Sequence, residues 1–317
     1  MFSNARTRVQ ILAVALATSF FIMAQASEIT GLDGSVTALA FSPDGKTLAA
    51  ADGGYDLSLW DVAAGTLKKK LSGLATGTGR VCWAPDGKTV YGTTGNDCIS
   101  WDVATGKERQ KVKGEMTRTA PSIIALSADG KTIAAVGRGM LKFWNAGTGA
   151  VLGEYEPHPN YGINSVAFSP DGRWVVTTSN ERKAQLTETS GGAAGAAFSV
   201  GGKPSAAEFS PDGKTLFVAD QSPALHQFEV ASGKDTPALP MSREAKQIAI
   251  SPDGALVVCA ASSVEIWSRK DGRWIVKSLV NSAGATAVAI SADGKSVACG
   301  DMEGRIHVWS TKDLLSQ

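Results

Sequence analysis

Histidine is scarce in this chain, with three in 317 residues, and no two stand at metal-ligand spacing. There is no Cys-x-x-Cys, no His-Glu-x-x-His and no Gly-x-Ser-x-Gly. Those gaps remove the sequence signatures of a zinc site, a zinc protease and a serine-hydrolase elbow. An excess of charge of one sign is missing too. The 31 basic and 30 acidic residues leave no electrostatic footprint for nucleic acid. Prolines number only 12 and 43% of residues are apolar, so the 35 glycines punctuate a folded chain rather than a disordered one. After residue 26 no segment is apolar enough to span a bilayer.

The first 26 residues read as a separate unit. Arg6 and Arg8 form a basic head, Val9 to Met23 is an apolar run of fifteen, and Ala24-Gln25-Ala26 supplies small residues where a signal peptidase reads. This predicts a secretory signal peptide over 1–26, cleaved before Ser27. The rival is a retained anchor, for which the run is short against the ~20 residues a spanning helix needs. Cleavage removes two basic residues and no acidic one, so the net charge falls from +1 to −1. The expected location is the periplasm or the extracellular space, with no membrane span left.

Residues 27–317 are a repeat. Ser42-Pro43-Asp44-Gly45 returns with turn glycines at Gly87, Gly130, Gly172, Gly213, Gly254 and Gly294, at spacings of 42, 43, 42, 41, 41 and 40. Four-stranded propeller blades have a period of about 40 to 45. Short apolar stretches flank each copy, as in Val36 to Phe41 and Thr47 to Ala50. Proline presets φ at the second turn position and glycine accepts positive φ at the fourth, which builds a hairpin. The Gly-Lys-Thr that ends the first copy invites a phosphate-loop reading. Such a loop needs glycine five residues before the Gly-Lys. That position holds Ala40, Cys82, Ala125, Glu208 and Ala289 in the copies followed by lysine.

A third strand ends 13 to 15 residues after each turn glycine, at Trp60, Trp101, Trp144, Leu186, Phe228, Trp267 and Trp309. A turn begins at the next residue, as at Asp61 and Asp102, and a fourth strand follows, as in Leu67 to Leu71. The stretch VTALAFSPDGKTLAAADGGYDLSLWDVAAG resembles a WD (G-beta-type) repeat, and INSVAFSPDGRWVVTTS is similar to that family's consensus. The resemblance covers residues 28 to about 315. It implies an all-β fold: a seven-bladed β-propeller of four-stranded antiparallel blades. The match has gaps. Trp-Asp survives only at Trp60-Asp61 and Trp101-Asp102, and no blade carries the family's Gly-His pair. The family's buried Asp-His-Ser/Thr-Trp network is therefore expected to be absent, with packing of Trp60, Trp101, Trp144, Trp267 and Trp309 in its place.

An open ring leaves edge strands exposed. Only eight residues follow Trp309, too few for an outer strand, while Glu28 to Leu32 precedes the first inner strand at the right distance. The N-terminal segment is expected to pair as the outer strand of blade seven. Cys82 and Cys98 lie two strand spacings apart, and Cys259 and Cys299 occupy the same position of successive blades. Both separations exceed disulfide reach, so four reduced cysteines are expected.

The repeated turn aspartates read as turn formers, not acid catalysts. Lys68-Lys69-Lys70 reads as a solvated edge. The loops joining fourth to first and second to third strands vary between blades. In WD-repeat proteins that face commonly binds proteins or peptides. The expected lining is Tyr55, Arg118, Arg138, His158, Tyr161, Arg182 and Arg243, types that dominate hot spots. The arginines favour a carboxylate-bearing partner. The leading expectation is a non-catalytic exported scaffold with no cofactor and no metal. Two alternatives stay open: an enzyme using the central funnel, since some propellers hydrolyse lactones or carry quinones, and a structural protein of the envelope. The mostly apolar first strands, such as Ser165 to Phe168 and Ala287 to Ile290, count against the enzyme.

Overall fold

A computed structural model describes residues 21–22, 26–54, 56–73, 79–94, 97–113, 123–137, 139–270, 272–279 and 284–316. The chain forms seven four-stranded antiparallel blades in a ring. Blade one is Val36–Phe41, Thr47–Asp52, Leu57–Asp61 and Leu67–Leu71. Blades two to six repeat that order, starting from the inner strands Val81–Trp83, Ile123–Leu126, Ile163–Phe168, Pro204–Phe209 and Gln247–Ile250. Blade seven contributes Ala285–Ile290, Ser296–Asp301 and Ile306–Ser310. Its outer strand is Ser27–Ile29, with Glu28 opposite His307 and Ile29 opposite Ile306. The ring closes through the N-terminal segment, as expected. Ile29 is fully buried at that seam, beside Val36 and Trp60 of blade one. The pair Phe21–Ile22 adds a short parallel strand beside Ser278 and Leu279 at the edge of blade six.

Local chemistry explains the hairpins. In the first turn the Ser42 hydroxyl donates to Asp44 Oδ1 at 2.6 Å, and the Lys46 N–H donates to the same oxygen at 3.0 Å. The Thr47 N–H donates to Ser42 Oγ at 2.9 Å, and Gly45 sits at φ +70°. The same bonds recur at Ser127/Asp129, Ser169/Asp171, Ser210/Asp212, Ser251/Asp253 and Ser291/Asp293. The serine hydroxyl, then the backbone N–H, holds each of these carboxyls below the usual range. Blade two has Ala84 in place of the serine and keeps only the Lys88 N–H bond to Asp86, at 2.8 Å.

The third-strand aromatics pack backwards onto the preceding blade. Trp60 meets blade seven, Trp101 blade one, Trp144 blade two, Phe228 blade four, Trp267 blade five and Trp309 blade six. All six are buried. Burying an aromatic side chain contributes roughly 1.5–3 kcal/mol, so these contacts carry much of the cohesion between blades. Asp61 and Asp102 accept backbone N–H groups of the turns that follow them.

The sequence reading needs correction at four points. In blade four the residue opposite Val175 is Thr187, not Leu186, so that blade has no aromatic at the shared position. Phe143 and Phe168 fill the gap, 6.2 Å apart. In blade six the third strand runs to Lys270, past Ser268, before the chain turns. After Ser310 comes a short helix, Thr311–Ser316, whose Leu314 is buried against blades six and seven. The fourth point is a buried histidine network.

Candidate functional site

That network belongs to His158, in the loop entering blade four. Its side chain is fully buried. Nε2 lies 2.9 Å from Thr177 Oγ1, and Nδ1 lies 2.9 Å from Ser179 Oγ and in contact with Glu181 Oε1. Thr177 and Ser179 come from the second strand and Glu181 from the loop after it. A His–Ser/Thr–acid network is thus present in blade four, with Glu181 as the acid and Thr187 where the aromatic would stand. His158 is committed to holding its blade together and presents nothing to a partner. The other two histidines are also tied down. His226 Nε2 and His307 Nε2 each lie 3.2 Å from a buried carboxylate, Asp220 and Asp301, and each ring stacks on the aromatic two residues on.

Of the remaining expected surface residues, Tyr55, Arg118 and Arg138 lie outside the described residues. Tyr161, Arg182 and Arg243 are exposed on the variable-loop face. Arg182 is held at φ +63° in the loop between the second and third strands of blade four. Two adjoining depressions mark this face over blades four to seven. One, of about 400 Å³, is lined by Asn164, Asn180, Lys203, Gln221, Glu244 and Lys246 among others. The other, of about 810 Å³, shares Gln221, Glu244 and Lys246 and adds Arg243, Pro223 and Met302. Arg243 therefore lies in a concave site. Sequence reasoning missed Lys203 and Lys246, because lysines in loops carry no signal until the ring places them side by side.

The charges on this face are unevenly matched. Several carboxylates on it are engaged: Asp33 and Asp56 with Lys70, Glu181 with His158 and Lys183, Glu265 with Ser242, Asp301 with Arg305; Glu156 and Glu244 are exposed and form no ion pair among the described residues. Arg182, Lys203, Arg243 and Lys246 are exposed, and none forms an ion pair among the described residues. Elsewhere, each lysine of the run at 68–70 has a local partner: Lys68 with Asp61, Lys69 with the Ala104 carbonyl of blade two, Lys70 with Asp56.

The four cysteines are unpaired, three of them buried. Burial pushes the Cys82 and Cys98 thiols up, the latter to about 12, so neither is a ready nucleophile. Among the described residues no group of three or more His, Cys, Asp or Glu could hold a metal, and no helix is long and apolar enough to cross a membrane.

Comparison with known proteins agrees with this architecture. The family model "WD domain, G-beta repeat" matches residues 25–61, 149–186 and 271–310. Each match runs from the outer strand of one blade through three strands of the next, and the first begins with the closing strand Ser27–Ile29. An uncharacterized WD repeat-containing protein of Synechocystis sp. is 33% identical over 155 residues, which is 48% of this chain and 44% of that protein. The chain thus aligns with less than half the length of that relative. Three stretches that match the WD repeat model, a relative that contains WD repeats, and seven four-stranded blades in a closed ring show a seven-bladed β-propeller that carries WD repeats.

Proposed function

We propose that this propeller is an exported, non-catalytic scaffold that binds an acidic segment of another protein on its variable-loop face. WD-repeat propellers are generally interaction scaffolds. The observation that carries the reading is the set of unpaired cations Lys203, Arg243 and Lys246 lining two adjoining depressions, with Arg182 exposed on the same face. Exposed guanidinium and ammonium groups attract carboxylates and steer their approach. The Gln221 amide and the Asn180 Nδ2 beside them can bond the backbone of a bound segment, while Asn164 Nδ2 is held by Asn180 Oδ1 and the Pro204 carbonyl. Export rests on the basic head, apolar run and small residues of the leader. Cleavage before Ser27 leaves the closing strand intact as the new amino end.

The test is affinity capture from the envelope or secreted fraction of the producing cell. One bait reverses Arg182, Lys203, Arg243 and Lys246 to glutamate. A control bait makes the same charge change at Lys46, Lys88, Lys214 and Lys234, exposed on the opposite face. The loop-face variant loses the captured protein and the control keeps it. Equal capture by all baits, or loss only in the control, rejects the site. An amino end at Ser27 in the exported protein supports cleavage; an intact Met1 rejects it.

A further inference from the structure

The seven inner strands line a central channel of about 540 Å³. Among the residues that line it, each blade contributes the one five residues before its turn glycine. That residue is alanine in five blades, Cys82 in blade two and Glu208 in blade five. Two residues earlier in the repeat, the channel receives Arg80 of blade two. A repeat that otherwise keeps its bore small and apolar thus departs from its pattern with two opposite charges.

These charges do not satisfy each other. They belong to blades two and five, on different sides of the bore, and no ion pair or hydrogen bond joins them. Among the described residues neither head group has a hydrogen-bond or ion-pair partner. Elsewhere in the lining Ser165 Oγ lies 2.7 Å from Thr178 Oγ1, and Gln247 Oε1 accepts the Val288 N–H at 3.0 Å. Both charged residues are half-buried in the lining of the channel. Burial pushes the Glu208 carboxyl up to about 7 against the pull of Arg80, and lowers Arg80 against the pull of Glu208. Charges left unpaired in such surroundings are costly.

We propose that the central channel is a binding site for a small zwitterion, an amino acid or short peptide, with its carboxylate on Arg80 and its ammonium toward Glu208. A simple anion would satisfy Arg80 and leave Glu208 unmet; a simple cation would do the reverse. A molecule carrying both charges cancels both and adds no net charge to the bore. The volume falls in the range of small-molecule sites, and Ile124, Val166 and Val288 add apolar lining beside the two charges. This site is separate from the loop face and does not depend on it.

The experiment is calorimetry and thermal-shift titration of the purified chain with the twenty L-amino acids and diglycine. Acetate and methylammonium serve as single-charge controls. At least one zwitterion binds with Kd of about 1 mM or tighter, and neither control does. Glu208→Ala installs the residue that five blades already carry there, so it leaves the fold intact, and it weakens that binding by about tenfold or more, as does Arg80→Gln. Three results overturn the proposal: no zwitterion binds; the bound one is indifferent to both substitutions; or acetate binds as tightly as any zwitterion and ignores Glu208→Ala, which makes the channel a plain anion site.

Discussion

Val36 packs on the bare α-carbon of Gly300, and this contact joins blade one to blade seven. A Cβ at Gly300 would overlap the Cβ and Cγ1 of Val36. Gly300 sits within its strand, opposite Ile306 and Ala287, and Val36 is fully buried, so neither side has room to retreat. Gly300→Ala therefore destabilises the protein by about 1–3 kcal/mol in urea denaturation. Val36→Gly in that background costs less than it does alone, because it removes the Cβ and the methyl groups in the way. Additive effects of the two substitutions would show that the seam is not packed as described.

His158 gives a second prediction. Replacing it with leucine strands Thr177, Ser179 and Glu181 inside blade four without their shared partner. The expected loss is about 2–4 kcal/mol, read by chemical denaturation. A change within about 0.5 kcal/mol, typical of a surface substitution, would return His158 to the exposed loop.

Ala84→Ser should go the other way. Six blades place a serine hydroxyl between the turn carboxylate and the backbone N–H five residues after the serine; blade two has only Asp86. Restoring the hydroxyl adds both bonds and stabilises the chain by about 0.5–1.5 kcal/mol in the same assay.

The turns and the blade count were legible because their causes are local, and the closing strand because seven four-stranded blades leave one outer position unfilled. Ser42, Asp44 and Gly45 satisfy one another within a few residues, and proline and glycine fix the backbone there. The errors arose where the cause is distant or substituted. His158 meets partners 19 to 23 residues away, and its acid is Glu181 rather than the family's aspartate. In blade four the shared position, 15 residues after the turn glycine, holds Thr187, and the apolar Leu186 beside it drew the reading one residue off. Among the expected loop residues, Arg243 falls in a depression and His158 does not reach the surface, a distinction that depends on how the loops fold over the blades. Arg80 and Glu208 share a channel only after blades two and five are set around it.

Glu208 makes a pH prediction. Its folded-state value of about 7 lies above the 4.5 of an unperturbed glutamate. The folded chain therefore holds that proton more tightly than the unfolded chain, and this group's contribution to stability is lost as pH rises from about 4.5 to 7. Glu208→Gln lacks the titration. Measured by denaturation across pH, the parent gains on the variant as pH falls from 7 to 4.5, then the difference levels off. A constant difference over that window would contradict the burial of this carboxyl.

The closure of the ring by its own amino end is tested most directly by a disulfide trap. Glu28 and His307 are cross-strand partners, and such pairs lie about 4.5–5.5 Å apart, within disulfide reach. With Glu28→Cys and His307→Cys in the oxidised, folded protein, mass spectrometry of the digest should find the 28–307 linkage as the main product, and the melting temperature should rise on oxidation. A thiol at 28 that stays free, or that joins any other cysteine, would contradict the seven-bladed ring latched at Ser27–Ile29.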